Sequence, residues 1–169
     1  MLISYVVYEP VPSRRHSSMG GLGRAAAFGG VVVGLVLVAH SPVLLAGLRA
    51  MVAQAAPAVP VGEAGGTAVG ALGTSAPKVL DVLREVLAAS AGDGAVILID
   101  LGSAALAVEI ALEEATAEER RLTRLSGGPI VEGAVLAAVE AASGAPLDDV
   151  ARAADGAAGV PKLPQGDAA

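Results

Sequence analysis

The stretch 31–42, VVVGLVLVAHSP, constrains the fold of this chain more than any other. Its run of β-branched and aliphatic residues ends in the polar pair His40-Ser41, a pattern typical of a strand buried on both faces of a parallel sheet. Ser41 can cap a helix and Pro42 fits the first helical turn, so we expect a helix to follow directly. The sequence therefore predicts His40 at the carboxyl end of a central strand, facing a helix N-terminus, where anions bind.

Strand-like runs alternate with helical patterns along the rest of the chain. Strands are predicted at about 32–38, 59–62, 95–99 and 122–125. Helices are predicted from Pro42 to about Ala55, after Ser75, up to about Ala115, between Pro129 and Gly144, and from Pro146 to Ala154. The alternation predicts an α/β fold, a three-layer, doubly wound and mostly parallel sheet of order 2-1-3-4 with helices on both faces. In that order the winding reverses between the first and third strands, which end at His40 and Asp100.

Apolar spacing also predicts which helix faces point inward. The segment 118–121 is highly charged, and we interpret it as a solvated connection. The residues expected inward are Leu106, Ile110 and Ala111 on the helix after Asp100, and Val131, Val135 and Val139 on the helix after Pro129.

Composition excludes several classes of function. Aromatic residues make up 2% of the chain against 54% hydrophobic residues, so the core is aliphatic and stacking platforms for bases or sugars are excluded. The net charge of -6 argues against nucleic acid as a partner. The chain has no cysteine, which excludes disulfides and thiolate metal sites. It also has no HExxH, GxSxG or paired-histidine spacing, and we expect neither a metal nor a cofactor.

The first 30 residues show no sustained hydrophobic period. We interpret 1–30 as a flexible leader, 31–155 as one folded domain and 156–169 as a flexible tail. Arginines precede the apolar stretch 25–39, so this part of the chain resembles an export signal. Glycines dilute that stretch, and it is shorter than the roughly 20 residues that span a bilayer. We therefore expect no membrane anchor and a cytoplasmic protein.

His40 has two interpretations. A lone histidine more often hydrogen-bonds a turn than carries chemistry. Here its place at a strand end, the helix start after it, and the lack of another histidine in the predicted folded part favour a functional role. A neutral imidazole is a good nucleophile towards phosphorus, and a phosphoryl group on it would face helix N–H donors. We predict that His40 carries a phosphoryl group.

Asp100 has three interpretations. It can cap the helix that follows it, or hold one ring nitrogen of His40 so that the other nitrogen attacks. It can also accept a phosphoryl group itself, as receiver domains do. The third is disfavoured because the acidic cluster that would hold magnesium is missing after the first strand, where VAHS stands.

A glycine-rich loop, AGGTAVGALGTS, covers 64–75. It is either a flexible crossing or a cradle for an oxyanion, and it matches neither a P-loop nor a dinucleotide fingerprint. A place for a phosphoryl group without one for a nucleotide points to a phosphocarrier rather than a kinase acting alone. The donors concerned are the backbone N–H groups of Gly65, Gly66 and Gly73 and the hydroxyls of Thr67, Thr74 and Ser75.

Four motifs, in this order, resemble one family. GLVLVAHSPVLLAGL, EAGGT with GTS, ILIDLGSA and PIVEGAVLAAVEAASGA are together similar to the phosphoryl-donor subunit of bacterial dihydroxyacetone kinase. More widely, they resemble the mannose-type IIA domain of the sugar phosphotransferase system. The resemblance covers about 32–154.

This resemblance implies a phosphoryl relay. His40 would take the group from the histidine-containing phosphocarrier protein and pass it to ADP on the nucleotide-binding subunit of the kinase, and Asp100 would orient the imidazole. Family members are commonly homodimers. The residues assigned to phosphate or partner binding are Ser41, Gly65, Gly66, Thr67, Gly73, Thr74, Ser75, Gly102 and Ser103.

Two other functions stay open. A IIA component of a mannose-type transporter would hand its phosphoryl group to a IIB domain, and a regulatory domain would use phosphorylation only to control partner binding. The GGT, GTS and DLGS motifs favour the kinase subunit over the transporter component.

Overall fold

The computed structural model describes residues 32–163, so the predicted leader 1–30 lies outside the described residues. The division into leader, domain and tail stays a prediction. The elements are β1 (Gly34–Ala39), α1 (Pro42–Ala55), β2 (Val61–Gly65), α2 (Ala76–Ala89), β3 (Ala95–Ile99), α3 (Gly102–Glu114), α4 (Ala117–Arg121), β4 (Thr123–Ser126), α5 (Ile130–Ala142) and α6 (Leu147–Gly156). A turn of 3-10 helix follows at Ala157–Gly159.

The four strands found within residues 32–163 form one parallel sheet of order β2-β1-β3-β4. Helices cover both faces, because each connection between parallel strands crosses a face of the sheet. In the register, Ala39 of β1 pairs with Gly65, and Val38 pairs with Ile99. The predicted three-layer, doubly wound α/β class and its strand order are confirmed.

The central strand β1 supplies both halves of the core. All of Gly34–Ala39 is buried, and alternate side chains point to opposite faces of the sheet. Leu35 and Leu37 pack with residues of α1, α5 and α6, whereas Val36 and Val38 pack with residues of α2 and α3. A continuous apolar run is therefore what this strand requires.

The second strand spans Val61–Gly65 and not the predicted 59–62. Gly65, assigned from the sequence to the glycine-rich loop, is the last residue of the strand. A Cβ at Gly62 would lie 2.5 Å from a side chain of α2, and one at Gly65 would lie 2.8 Å from the first residue of α1. Glycine thus lets both helices approach an edge strand closely.

The predicted inward faces of α3 and α5 are partly wrong. Leu106, Ile110 and Val139 are exposed, Val131 and Val135 are half-buried, and only Ala111 is buried as expected. Strands filled with Leu, Val and Ile leave little room between sheet and helix, so small side chains face inward. The buried faces consist of Ala104, Ala107, Val108 and Ala111 in α3 and of Gly133, Ala134, Ala137, Ala138 and Ala141 in α5.

The segment 118–121, predicted as a solvated connection, contains no buried residue, and it forms most of the short helix α4. A capping box begins this helix: Thr116 Oγ1 accepts the Glu119 N–H at 3.1 Å, and the Glu119 carboxylate accepts the Thr116 N–H at 2.7 Å. Glu119 also pairs with Arg84 of α2 at 2.9 Å. The charged residues therefore build a helix start and tie it to α2.

Among residues 32–163, no helix combines the length and the apolar character needed to cross a bilayer.

Candidate functional site

The neighbouring strands β1 and β3 bring His40 and Asp100 together. Each residue directly follows the end of its strand. His40 Nδ1 lies 3.1 Å from Asp100 Oδ1 and 3.2 Å from Oδ2, and the His40 backbone N–H donates to Oδ2 at 2.9 Å. The structure thus places the two residues singled out by the sequence in direct contact.

The Asp100 carboxylate determines which nitrogen of His40 carries the proton. A carboxylate only accepts hydrogen bonds, so Nδ1, which faces it, is the N–H donor and Nε2 keeps its lone pair. The Leu101 N–H also donates to Oδ1 at 2.8 Å, which holds the carboxylate in place. The side chain of Asp100 is 11% exposed and that of His40 is 29% exposed. The ring is therefore held on its inner side and accessible on its outer side.

Ser103 contacts the second nitrogen of the ring. Its Oγ lies 3.2 Å from His40 Nε2, and because Nε2 holds the lone pair, the hydroxyl donates. Ser103 lies in the first turn of α3, where its N–H and that of Gly102 have no acceptor within residues 32–163. These N–H groups stand at the positive end of the helix dipole, beside the accessible nitrogen.

Ser41 and Ser75 each precede a helix, but their side chains behave differently. Ser41 caps α1, since its Oγ accepts the Leu44 N–H at 3.3 Å. Ser75 precedes α2 as its N-cap residue, but its side chain makes no capping hydrogen bond. Thr74 is half-buried beside it. The Ser41 oxygen is thus engaged in the helix start, whereas the Ser75 hydroxyl is not.

The glycine-rich loop is held to the end of β1 by backbone hydrogen bonds. The Gly66 N–H donates to the last carbonyl of β1 at 3.1 Å, and the Gly73 N–H donates to His40 O at 3.0 Å. Within the loop, the Thr67 N–H donates to Ala71 O at 2.8 Å and Thr67 Oγ1 accepts the Ala71 N–H at 3.2 Å. The loop is thus a closed turn whose position depends on the backbone of His40.

The turn requires glycine at two of these positions. Gly66 has φ +75°, and a Cβ there would lie 2.9 Å from Ala71 O. Gly73 has φ +139°, and a Cβ there would lie 2.7 Å from Thr67 Cγ2. Side chains rarely adopt such φ values, so both glycines shape the loop.

Sequence reasoning missed Lys78, in the first turn of α2. Its Nζ donates to the carbonyl of Gly65, the last residue of β2, at 2.6 Å. The helix dipole disfavours a cation in the first turn of a helix. A lysine at this position therefore indicates a nearby acceptor that offsets the unfavourable interaction. Lys78 thereby anchors the base of the glycine-rich loop.

Residues 34–151 match the model of the EIIA-man family, described as the PTS system fructose IIA component. The matched range contains all four strands of the sheet together with His40 and Asp100. The chain belongs to the EIIA-man family.

Curated relatives of this EIIA-man chain are dihydroxyacetone kinase subunits. It is 34% identical over 110 residues to the "PEP-dependent dihydroxyacetone kinase 2, phosphoryl donor subunit DhaM" of Listeria innocua, covering 64% of this chain and 86% of that protein. The DhaM phosphotransferase subunit of Lactococcus lactis is 28% identical over 117 residues, with coverages of 69% and 89%. The Escherichia coli DhaM is 42% identical over 79 residues, which are 47% of this chain but 16% of that longer protein. The resemblance inferred from the motifs is confirmed.

Two solved structures share the EIIA-man architecture of this chain. A crystal structure of a protein of unknown function, EF1359, is 29% identical, with a TM-score of 0.65 over 73% of this chain and 93% of that one. A sigma-54 interaction domain protein from Enterococcus faecalis is 15% identical, with a TM-score of 0.55 over 75% and 90% of the two chains. The second likeness shows the fold alone.

Proposed function

We propose that this chain is a phosphohistidine relay subunit of dihydroxyacetone kinase, a phosphotransferase in which His40 Nε2 carries the phosphoryl group. The observation that carries the proposal is the contact of His40 Nδ1 with the Asp100 carboxylate, from which the tautomer of the ring follows. Asp100 holds the proton on Nδ1, and Nε2 is accessible with its lone pair beside the Ser103 hydroxyl. The DhaM relatives support the choice of substrate, since they are named as phosphoryl-donor and phosphotransferase subunits of dihydroxyacetone kinase.

Both half-reactions of the transfer use the side chains of His40 and Asp100. The lone pair of His40 Nε2 attacks the phosphorus of a phosphohistidine on the donor, and the old N–P bond breaks as its electron pair returns to the donor imidazole. The His40 ring, still protonated on Nδ1, becomes cationic, and the Asp100 carboxylate stabilises that charge. In the second half-reaction an oxygen of the ADP β-phosphate attacks the same phosphorus. The N–P electron pair then returns to His40.

The start of α3 is suited to the phosphoryl oxygens. The N–H groups of Gly102 and Ser103, which have no acceptor among the described residues, and the Ser103 hydroxyl offer donors next to Nε2, where the helix dipole favours negative charge. Preorganised donors of this kind stabilise charge without reorganisation at the moment of transfer. We assign them to binding the phosphoryl group.

The proposal includes the partners that the family resemblance implies. The donor is the histidine-containing phosphocarrier protein, and the acceptor is ADP on the nucleotide-binding subunit of the kinase. We further propose a homodimer that works in the cytoplasm.

A IIA component of a sugar transporter is the second candidate. The matching family is described as a PTS fructose IIA component, which favours this function. The same His40 chemistry serves both functions, and only the acceptor differs. In a purely regulatory domain, the phosphoryl group on His40 would not be passed on to an acceptor.

Reconstitution separates these functions. The chain is incubated with labelled phosphoenolpyruvate, enzyme I and the phosphocarrier protein, and then with the two other kinase subunits, ADP and dihydroxyacetone. We expect an acid-labile label on the chain and then labelled dihydroxyacetone phosphate. His40→Ala should carry no label, whereas the matched variant His16→Ala, which removes the other histidine of the chain, should be labelled like the wild type.

Each failure points to a different part of the proposal. A label on His40 that never reaches dihydroxyacetone contradicts the kinase assignment and favours the transporter or regulatory function. A label that survives His40→Ala contradicts the relay altogether.

A further inference from the structure

Lys78 joins the two ends of the glycine-rich loop. The loop, residues 64–75, leaves the sheet at the end of β2 and leads into α2, whose first turn holds Lys78. The lysine Nζ donates back to the carbonyl of Gly65, the last residue of β2, at 2.6 Å. One side-chain hydrogen bond thus closes the loop at its base.

The closed loop holds the chain at His40 by two backbone hydrogen bonds, one from each arm. The Gly66 N–H donates to Ala39 O at 3.1 Å, and the Gly73 N–H donates to His40 O at 3.0 Å. The two acceptors belong to the peptide groups on either side of the His40 Cα. The direction in which the imidazole points therefore depends on how close together the two arms are held.

The charge of Lys78 is not explained by stability alone. The side chain is half-buried, and among residues 32–163 it pairs with no carboxylate, whereas Lys162 pairs with Glu132. The helix dipole also opposes a cation in the first turn of α2. Residues that break a local rule in this way stand mostly at functional sites.

We propose that Lys78 is a positioning residue for phosphoryl transfer: by closing the glycine-rich loop it fixes the peptide groups of His40 and thereby the direction of Nε2. The inference rests on the proposed function, since it concerns the rate at which His40 accepts the phosphoryl group. Lys78 acts through the loop, because its hydrogen bond goes to Gly65 and not to the imidazole. A displacement of about 1 Å at a reacting group can slow a reaction by about 10²-fold, so a loosened loop slows the transfer in a protein that is still folded.

The first test measures labelling of Lys78→Met, which keeps an unbranched apolar side chain and removes the donor. Labelling is followed with the phosphorylated carrier protein and, separately, with phosphoramidate, a small donor that phosphorylates imidazoles. Because the change lies in the imidazole, we expect the maximal rate to fall about tenfold with both donors, and the half-saturating concentration of the carrier protein to stay within about twofold. Lys78→Arg keeps the charge and the donors and should stay within about threefold of the wild-type rate.

Arg49→Met is the matched control. Arg49 is also a cation that ties a helix to β2, since its guanidinium pairs with Glu63 at 3.1 Å. Glu63 lies in the middle of that strand and not at the base of the loop. The control should keep both rates of labelling.

Amide hydrogen exchange tests the closing of the loop without any phosphoryl chemistry. In Lys78→Met the Gly73 N–H, which donates to His40, should exchange about tenfold faster than in the wild type. Amides of the central strand β3, such as that of Leu98, should keep their wild-type rates, because they open only when the whole domain unfolds.

The opposing outcomes are distinct. Unchanged labelling of Lys78→Met, or a loss with the carrier protein alone, overturns the positioning role. Unchanged exchange at Gly73, or equally faster exchange at Gly73 and Leu98, overturns it as well, since the second result shows a role in global stability. A wild type that neither donor labels at His40 overturns the proposed function instead, and the exchange at Gly73 then still decides whether Lys78 closes the loop.

Discussion

The carboxylate of Asp100 holds both the backbone and the ring of His40. Its Oδ2 accepts the His40 backbone N–H at 2.9 Å, and its Oδ1 faces Nδ1 at 3.1 Å. The first contact sets where the chain leaves β1 relative to β3, and the second sets the tautomer. The position and the reactivity of the imidazole therefore depend on one side chain.

Replacing Asp100 by Asn should leave the protein folded and slow phosphorylation of His40 by about 10²- to 10⁴-fold. An amide has one accepting oxygen where the carboxylate has two, carries no charge to stabilise the cationic ring, and can turn its NH₂ towards Nδ1, which favours the wrong tautomer. The initial rate of labelling by the carrier protein measures the effect.

Asp93→Asn is the matched control for this change. Asp93 accepts the Val32 N–H at 2.7 Å. This contact lies before the starts of β1 and β3, whereas His40 lies after the end of β1. It should be labelled at the wild-type rate. If Asp100→Asn is labelled as fast as Asp93→Asn, the carboxylate does not activate the ring.

Ser103→Ala removes the hydroxyl that donates to Nε2 and keeps the helix. Without this donor to the phosphoryl group, we expect labelling to slow by about tenfold, equivalent to about 1.4 kcal/mol of transition-state stabilisation. Ser143→Ala, which removes the hydroxyl after the last turn of α5, should have no effect on labelling. Equal rates for the two variants would show that the hydroxyl does not act on the phosphoryl group.

Two glycines of the loop separate backbone strain from steric conflict. Gly66 and Gly70 have nearly equal φ values, +75° and +80°, but a Cβ would meet Ala71 O at 2.9 Å at the first and open space at the second. Gly70→Ala should cost about 1 kcal/mol of unfolding free energy, and Gly66→Ala clearly more. Urea denaturation measures both, and equal losses would mean that the contact at Gly66 relaxes freely.

Glu119 makes the folded state sensitive to acid. Its hydrogen bond to Arg84 and the Thr116 N–H lower the pKa of the carboxyl below its usual range. Since the folded-state pKa is the lower one, the stabilisation is present above the unfolded-state pKa of about 4.3 and is lost as the pH falls through the folded-state pKa. Glu119→Ala should lose about 1 kcal/mol at pH 7 and show a flatter decline of stability towards acid.

Glu118→Ala is the matched control for this helix start. The hydrogen bond to Arg121 also lowers the pKa of Glu118, but this pair is exposed and takes no part in the capping box. We expect no measurable change in stability, because solvent screens an exposed pair. Equal losses for the two variants in thermal unfolding at pH 7 would contradict the role of the capping box.

The sequence predicted the residues of the site that lie at the ends of strands. Two buried runs end in polar residues at His40 and Asp100, and neighbouring parallel strands end at the same edge of the sheet. The further role of Ser103 was not visible in this way. Its contact with Nε2 depends on how α3 turns away from β3, which no local pattern reports.

Two errors concern residues whose size, rather than polarity, decides their place. Gly65 indicated a loop, yet it stands in β2, where a Cβ would lie 2.8 Å from the first residue of α1. Leu106 and Ile110 indicated an inward face, yet alanines occupy that face. In a chain so rich in alanine, apolar periodicity does not tell a buried stripe from an exposed one.

Residue order alone was enough for the fold class, the strand order and the meeting of His40 with Asp100, because apolar runs and their polar ends are local signals. The tautomer of the ring, the donor on Nε2 and the closed glycine turn became known only from the folded chain. Those features join atoms that stand up to 63 positions apart, and their distances follow from how helices pack against the sheet.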